Sequence, residues 1–252
     1  MNISVCLPAV FDSDILKGLE EINTLGIKDF EFWGWWDKDI EAIKAIAEKN
    51  KQRTVALCTR FISLVDPQCR MQYLEGLRET IEVAKSLNCK TIISQVGDDT
   101  GADRAFQHKS LVEGLRQAAD ILKGTKITLV IEPLNDKKNH QGYYLTSSKE
   151  AYEIIDEVGS DNIKVLFDIY HQQITEGDIL TNLLPNIDKI GHMHCAGSDG
   201  RHELNYGELN YAYIAQKIDA AGYNGFIGLE YFPVNDAKES IISAVKLLKN
   251  KK

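Results

Sequence analysis

Short apolar or β-branched runs alternate along this chain with longer amphipathic stretches, so the hydrophobic period switches repeatedly between two and 3.6. Strands are predicted at residues 3–7, 29–33, 53–58, 90–94, 127–132, 163–168, 188–195 and 226–230. Helical periodicity covers 14–25, 37–49, 67–87, 103–122, 148–158, a short stretch near 178–184, 208–221 and 236–249. Asp66-Pro67 offers an N-cap followed by proline at the first helical position, and Ser147-Ser148-Lys149-Glu150 has capping-box spacing. Gly26, Gly159 and Gly222 closely follow helical runs, where a left-handed C-terminal residue favours glycine. Strict alternation of eight strands with eight helices leaves a closed barrel or an open doubly wound sheet. No glycine-rich phosphate-binding motif follows a strand, and no linker or shift in composition interrupts the rhythm. The prediction is therefore an α/β fold, one (β/α)₈ TIM barrel spanning residues 1–252 as a single domain.

Barrels of this kind build their sites at the C-terminal ends of the strands. Each of the last four runs ends in a ligand-type residue: Glu132 in VIEPLN, Asp168 and then His171 in LFDIYH, His194 in HMH, and Glu230 in GLEYF. Glu132 shares a strand face with Val130 and Thr128, and Glu230 with Gly228 and Phe226, a mixture that suits a barrel interior. The opposite faces, Ile127/Leu129/Ile131 and Ile227/Leu229, suit packing against helices. Residues 187–203 hold three of the six histidines; strict alternation sets Ile190, His192 and His194 on one face and Gly191 and Met193 on the other. Lys164, on the face of Asp168, is expected to turn inward and to need a carboxylate partner. Three carboxylates and an imidazole at one mouth repel strongly unless a cation lies between them. The oxygen-rich set suits one divalent ion, Mn²⁺, Mg²⁺ or Co²⁺, with Zn²⁺ also in range. The bland alternative is four strand-end residues that share no ligand.

Composition narrows the partners. A formal charge of −8 argues against a broad nucleic-acid-binding surface, which needs a basic stripe. Five isolated cysteines without CxxC spacing suggest neither a disulfide framework nor a cysteine zinc site. The N-terminal stretch lacks the basic region of a signal peptide, and no apolar run is long enough to span a bilayer. A cytoplasmic protein without membrane contact is expected, and its exposed aromatic loops are compatible with a homo-oligomer.

The segments IEPLN, FDIYHQQITEGD, GHMHCAGSDGRHELNYGELNY and GLEYFP resemble the corresponding strand ends of the hydroxypyruvate isomerase family, within the xylose-isomerase-like TIM barrels. The likeness is specific in spacing over most of the C-terminal half; over residues 1–125 it rests mainly on the βα rhythm. It implies that Glu132, Asp168, His194 and Glu230 hold the metal, that Glu132 and Glu230 form an acid/base pair around a small carbonyl sugar or sugar acid, and that His171 and Arg201 bind the substrate. Two positions depart from the pattern: these isomerases typically carry glutamine at the place of His194, which resembles the ketose 3-epimerases, and arginine at that of Phe232. The chemistry implied is isomerisation through an enediolate, with a cation stabilising its charge and a carboxylate moving the proton. Ketose 3-epimerisation, decarboxylation of a 3-oxo sugar acid, and a disfavoured endonuclease IV-like phosphodiesterase are the alternatives, beside a binding barrel without catalysis.

Other positions have two readings. His192, one layer deeper than His194, reads as a core histidine, and His202 lacks the histidine partners of a multi-zinc cluster. Trp33-Gly34-Trp35-Trp36 either walls a sugar site or packs between helices; Tyr143, Tyr144 and Tyr206 tilt towards site walls because βα loops build the pocket. Arg60 and Gln95, just past the third and fourth strands, are further substrate-contact candidates against a surface alternative, and Lys249, Lys251 and Lys252 read as a solvated tail.

Overall fold

The structure is a computed structural model that describes residues 1–249; Lys251 and Lys252 of the basic tail lie outside the described residues. Eight parallel strands close in sequence order: β1 (Asn2–Cys6), β2 (Asp29–Phe32), β3 (Arg53–Cys58), β4 (Thr91–Ser94), β5 (Thr128–Ile131), β6 (Ile163–Asp168), β7 (Ile190–Cys195) and β8 (Phe226–Leu229), with β8 hydrogen-bonded to β1. The helices are α1 (Leu7–Val10), α2 (Ile15–Thr24), α3 (Ile40–Asn50), α4 (Arg70–Ser86), α5 (Arg104–Leu122), α6 (Ser148–Val158), α7 (Ile169–Thr175), α8 (Ile179–Leu183), α9 (Tyr211–Ala220) and α10 (Ala237–Lys249). The chain is a (β/α)₈ TIM barrel, as the periodicity predicts.

Side-chain caps explain where the long helices start. Asp14, Asp39, Asp103, Ser147 and Asn210 each accept from the backbone N–H three residues on, the contact that satisfies an orphan donor of the first turn. Gly159, at φ +69°, forms the left-handed cap after α6. Asp66 differs from expectation. It accepts from Gln68 N in the turn before α4, and the helix proper begins only at Arg70.

Two short helices add to the predicted set: α1, in an apolar run, follows β1 directly, and the seven-residue α7 follows β6 directly. A 3₁₀ turn over Leu184–Lys189 delays β7 to Ile190.

The apolar core has two layers. A large cluster fills the space between barrel and helices, and a small one, Val55, Ala56, Cys58, Ile93, Val130 and Leu166, fills the barrel. Strict alternation fails on β7. A register shift opposite Val165 and Leu166 marks a bulge. Ile190 packs with Met193 in the outer layer, while a Cβ on Gly191 would crowd Val130, Thr128 and Lys164. Lys164 pairs with no carboxylate among the described residues: its Nζ donates to the carbonyl of Asp188 at 2.5 Å.

Candidate active site

Four strand ends bring Glu132, Asp168, His194 and Glu230 together, all buried, with one ligand atom from each lying within 4.8 Å of the others. Asp168 divides its carboxylate. Oδ1 caps α7, accepting from Tyr170 N at 2.8 Å, which leaves Oδ2 without a hydrogen-bond partner. His194 Nδ1 lies 3.1 Å from Glu230 Oε2 and 3.7 Å from Glu132 Oε1. Glu230 Oε1 accepts from Trp33 Nε1 at 2.7 Å, and Oε2 accepts from Arg201 Nη2 at 2.5 Å. The same guanidinium nitrogen is 3.6 Å from Asp168 Oδ2.

The electrostatics follow from this crowding. Burial alone would raise the Glu230 carboxyl, but His194 and Arg201 hold it well below the usual carboxylate range. Asp168 is pushed up to about 7, by burial first and then by the neighbouring glutamates against the pull of Arg201. Burial opposes the imidazolium of His194, yet Glu230 and Glu31 raise it well above its ordinary value. Three carboxylates with an unpaired Asp168 Oδ2 and an unaligned His194 Nδ1 are the donor set a divalent cation takes, so the residues present fit the metal that the sequence implies.

A cavity of about 280 Å³ opens over this cluster, walled by Trp33, Phe61, Gln95, Leu134, His140 and His171 among others. His171 is fixed from behind. Its Nδ1 accepts from Asn135 N at 3.1 Å and pairs with Asn135 Nδ2 at 2.7 Å, so the ring proton is on Nε2, 3.6 Å from Asp168 Oδ2. Burial and then Arg201 push His171 well below its ordinary range, so it is a neutral donor. Arg201 sits at φ +59° in a loop strapped to the segment after β8: its carbonyl accepts from Phe232 N, and the Glu203 carboxylate accepts from Val234 N and Asn235 N.

Gln95 thus joins the six residues of the C-terminal half, but Arg60 does not. Its guanidinium pairs with Glu79 at 3.0 Å and stacks over Trp35 and Trp36, because the loop after β3 turns it towards α4. The tryptophan run splits as well: Trp33 walls the site, whereas Trp35 Nε1 bonds Thr80 on α4. Tyr143, Tyr144 and Tyr206 do not line the cavity. Tyr143 is a buried brace whose hydroxyl receives Val96 N and donates to the Glu132 carbonyl. His202 bonds the Phe232 carbonyl. His140 and Glu31 escaped the sequence reading. Glu31 is buried in the barrel interior, 2.6 Å from His192 Nε2 and 3.2 Å from His194 Nε2, and these histidines hold it at about 2 against the effect of burial. A larger groove of about 450 Å³ at the N-terminal end of the barrel, lined by Arg53, Lys90 and Phe226 among others, holds none of the converging ligands.

Residues 19–251 match the model of the xylose isomerase-like TIM barrel. The chain belongs to that family. Within the family it is 35% identical over 244 residues to hydroxypyruvate isomerase of Escherichia coli, a match covering 92% of this chain and 94% of that protein. The 2-oxo-tetronate isomerase of Cupriavidus necator is 43% identical over 132 residues, 52% of this chain and 50% of that one. Among solved structures, one described as AP endonuclease, family 2, from Brucella melitensis superposes with a TM-score of 0.92 at 25% identity, covering 97% of this chain and 98% of its own. The chain is an enzyme of the isomerase class, hydroxypyruvate isomerase-like, in the xylose isomerase-like TIM barrel family.

Proposed function

We propose that this enzyme is a cation-dependent isomerase that shifts a proton between neighbouring carbons of a small hydroxylated 2-oxo compound, with Glu132 and Glu230 as proton carriers. The observation that carries the reading is the convergence of these two carboxylates with His194 on the wall of one cavity, with Asp168 clustered beside them. The two glutamates are unequal. Glu230 accepts from Trp33 and Arg201, whereas Glu132 has His194 Nδ1 at 3.7 Å as its nearest ion-pairing atom. Glu230, whose anion is stabilised by His194, Arg201 and Trp33, releases a proton readily once it carries one. His171 presents Nε2–H and Arg201 its guanidinium to substrate oxygens, and Gln95 offers an amide from the other wall. Glu132, Asp168, His194 and Glu230 would hold the divalent cation, which when bound supplies Lewis-acid stabilisation of the charge that develops on the substrate oxygen.

Substrate size and charge follow from the walls. A cavity of about 280 Å³ suits a compound of the size of hydroxypyruvate or 2-oxo-tetronate, the names its relatives carry. Arg201 is the sole lysine or arginine among the lining residues, so a substrate with at most one anionic group matches the site. The abasic DNA implied by the name of the Brucella structure is opposed by the net charge of −8, since a polyanion needs a basic face. Incubation of the Mg²⁺-loaded enzyme in D₂O with hydroxypyruvate and a panel of ketoses, followed by ¹H NMR, tests the reading. Deuterium at the former carbonyl carbon of the product is expected. Deuterium with inversion at a single carbon would replace isomerisation by 3-epimerisation, and no exchange with any compound would refute the proton-transfer chemistry.

A further inference from the structure

His194 is gripped from below as well as from the cavity. Glu31, on β2 and 1% exposed, reaches across the barrel interior with Oε2 at 2.6 Å from His192 Nε2 and Oε1 at 3.2 Å from His194 Nε2. The two rings lie 5.0 Å apart at 85°, so one carboxylate faces one nitrogen of each. An ionised carboxylate only accepts hydrogen bonds, so the 2.6 Å contact puts the proton of His192 on Nε2; the 3.2 Å approach of Oε1 to His194 Nε2 is a close ion-pair contact without hydrogen-bond alignment, and its charge favours the proton on that nitrogen as well. Glu230 Oε2, 3.1 Å from Nδ1, favours a second proton on that nitrogen in the cation-free ring; a cation would take the place of that proton, and Nδ1 would then turn its lone pair to the side where Glu132, Glu230 and Asp168 Oδ2 converge. The space for this arrangement comes from Gly228 on β8: a Cβ there would overlap Glu31 Oε1 and come within 2.8 Å of His194 Cδ2.

We propose that Glu31 is a positioning residue, a buried carboxylate clamp that fixes the tautomer and ring plane of His194 so that Nδ1 faces the cation, with His192 holding the clamp and Gly228 giving it room. The proposal rests on the reading of His194 as a cation ligand. Carboxylates behind ligating imidazoles generally act in this way, orienting the ring and raising its basicity. In Glu31→Gln the amide oxygen can accept from one ring only, and the anion that made His194 a better ligand is gone. Gly228→Ala displaces the same carboxylate while keeping its charge.

The test measures cation binding itself. Metal-free wild-type, Glu31→Gln and Gly228→Ala proteins are titrated with Mn²⁺ by calorimetry, and the histidine tautomers of the Mg²⁺-loaded proteins are read from long-range ¹H–¹⁵N spectra. The expected wild-type result is one ion per chain, with His194 protonated at Nε2 and shifted at Nδ1 by the ion. Both variants are expected to weaken binding about 10–100-fold, with a mixed tautomer at His194 or His192. A loss of fold alone would change the far-ultraviolet circular dichroism, not the tautomer of a folded chain. Variant affinities within twofold of wild type, with the His194 tautomer unchanged, would overturn the clamp and leave the metal reading intact. A wild-type His194 that does not respond to the ion would overturn that reading and the clamp with it. A second bound ion that shifts His192 Nε2 would replace the clamp by a cation cage of Glu31, His192 and His194.

Discussion

His194 has carboxylates on both edges of its ring, Glu31 at 3.2 Å from Nε2 and Glu230 at 3.1 Å from Nδ1. Without a cation the ring is held protonated well above its ordinary range, and Asp168 is pushed up to about 7. Both folded-state values lie above the unfolded ones. Such groups contribute stability that is complete below the unfolded pKa and is lost as pH rises through the folded pKa. Glu31 has the opposite sign: depressed to about 2, it contributes stability above its unfolded value near 4.5 and loses it as pH falls towards 2. In the presence of a chelator, the Tm is therefore expected to fall as pH rises from about 6 to 8. Saturating Mg²⁺ is expected to remove that fall, because the cation replaces the protons and neutralises the carboxylates. Equal slopes with and without the ion, measured by differential scanning fluorimetry, would contradict this electrostatic account.

At the level of elements, the β6–α7 junction shows how local structure prepares a ligand. The strand ends at Asp168 and the helix begins one residue later, so the same side chain is both cap and strand-end carboxylate. The two functions separate by substitution. An asparagine at this position can still accept from Tyr170 N but offers no anion, whereas alanine removes both. Asp168→Asn is expected to be more stable than Asp168→Ala by about 0.5–2 kcal/mol, the usual worth of an N-cap, while both bind Mn²⁺ at least tenfold more weakly than wild type. Denaturant midpoints and calorimetry check the pair, and a wild-type Mn²⁺ affinity in Asp168→Asn would contradict the assignment. The strand ends at Glu132, Asp168, His194 and Glu230 were legible because each closes a run of clear period. The helix α7 was not, because its seven residues, IYHQQIT, are too few and too polar to show a helical period. Glu31 was hidden by its own regularity: Asp29 and Glu31 alternating with Phe30 and Phe32 read as a half-solvated strand, whereas a parallel barrel buries both faces. Arg60 failed for a related reason, since the pattern establishes that a residue follows a strand but not which way a loop turns its side chain.

For the whole molecule, the barrel matters because it makes distant segments equivalent. Residues 31, 132, 168, 194 and 230 come from five strands, and closure of β8 on β1 brings Glu31 beneath the ligands of the C-terminal half. The central claim is that Glu132, Asp168, His194 and Glu230 hold one divalent cation that the isomerisation requires. Manganese titration followed by electron paramagnetic resonance, with hydroxypyruvate turnover measured in the same samples, tests it most directly. Free Mn²⁺ is expected to stay undetected until one equivalent per chain has bound, with activity rising in proportion, and Glu132→Gln is expected to lose about 10²–10⁴-fold in turnover. Full turnover by the chelated enzyme, or Mn²⁺ that remains free from the first addition, would contradict the account.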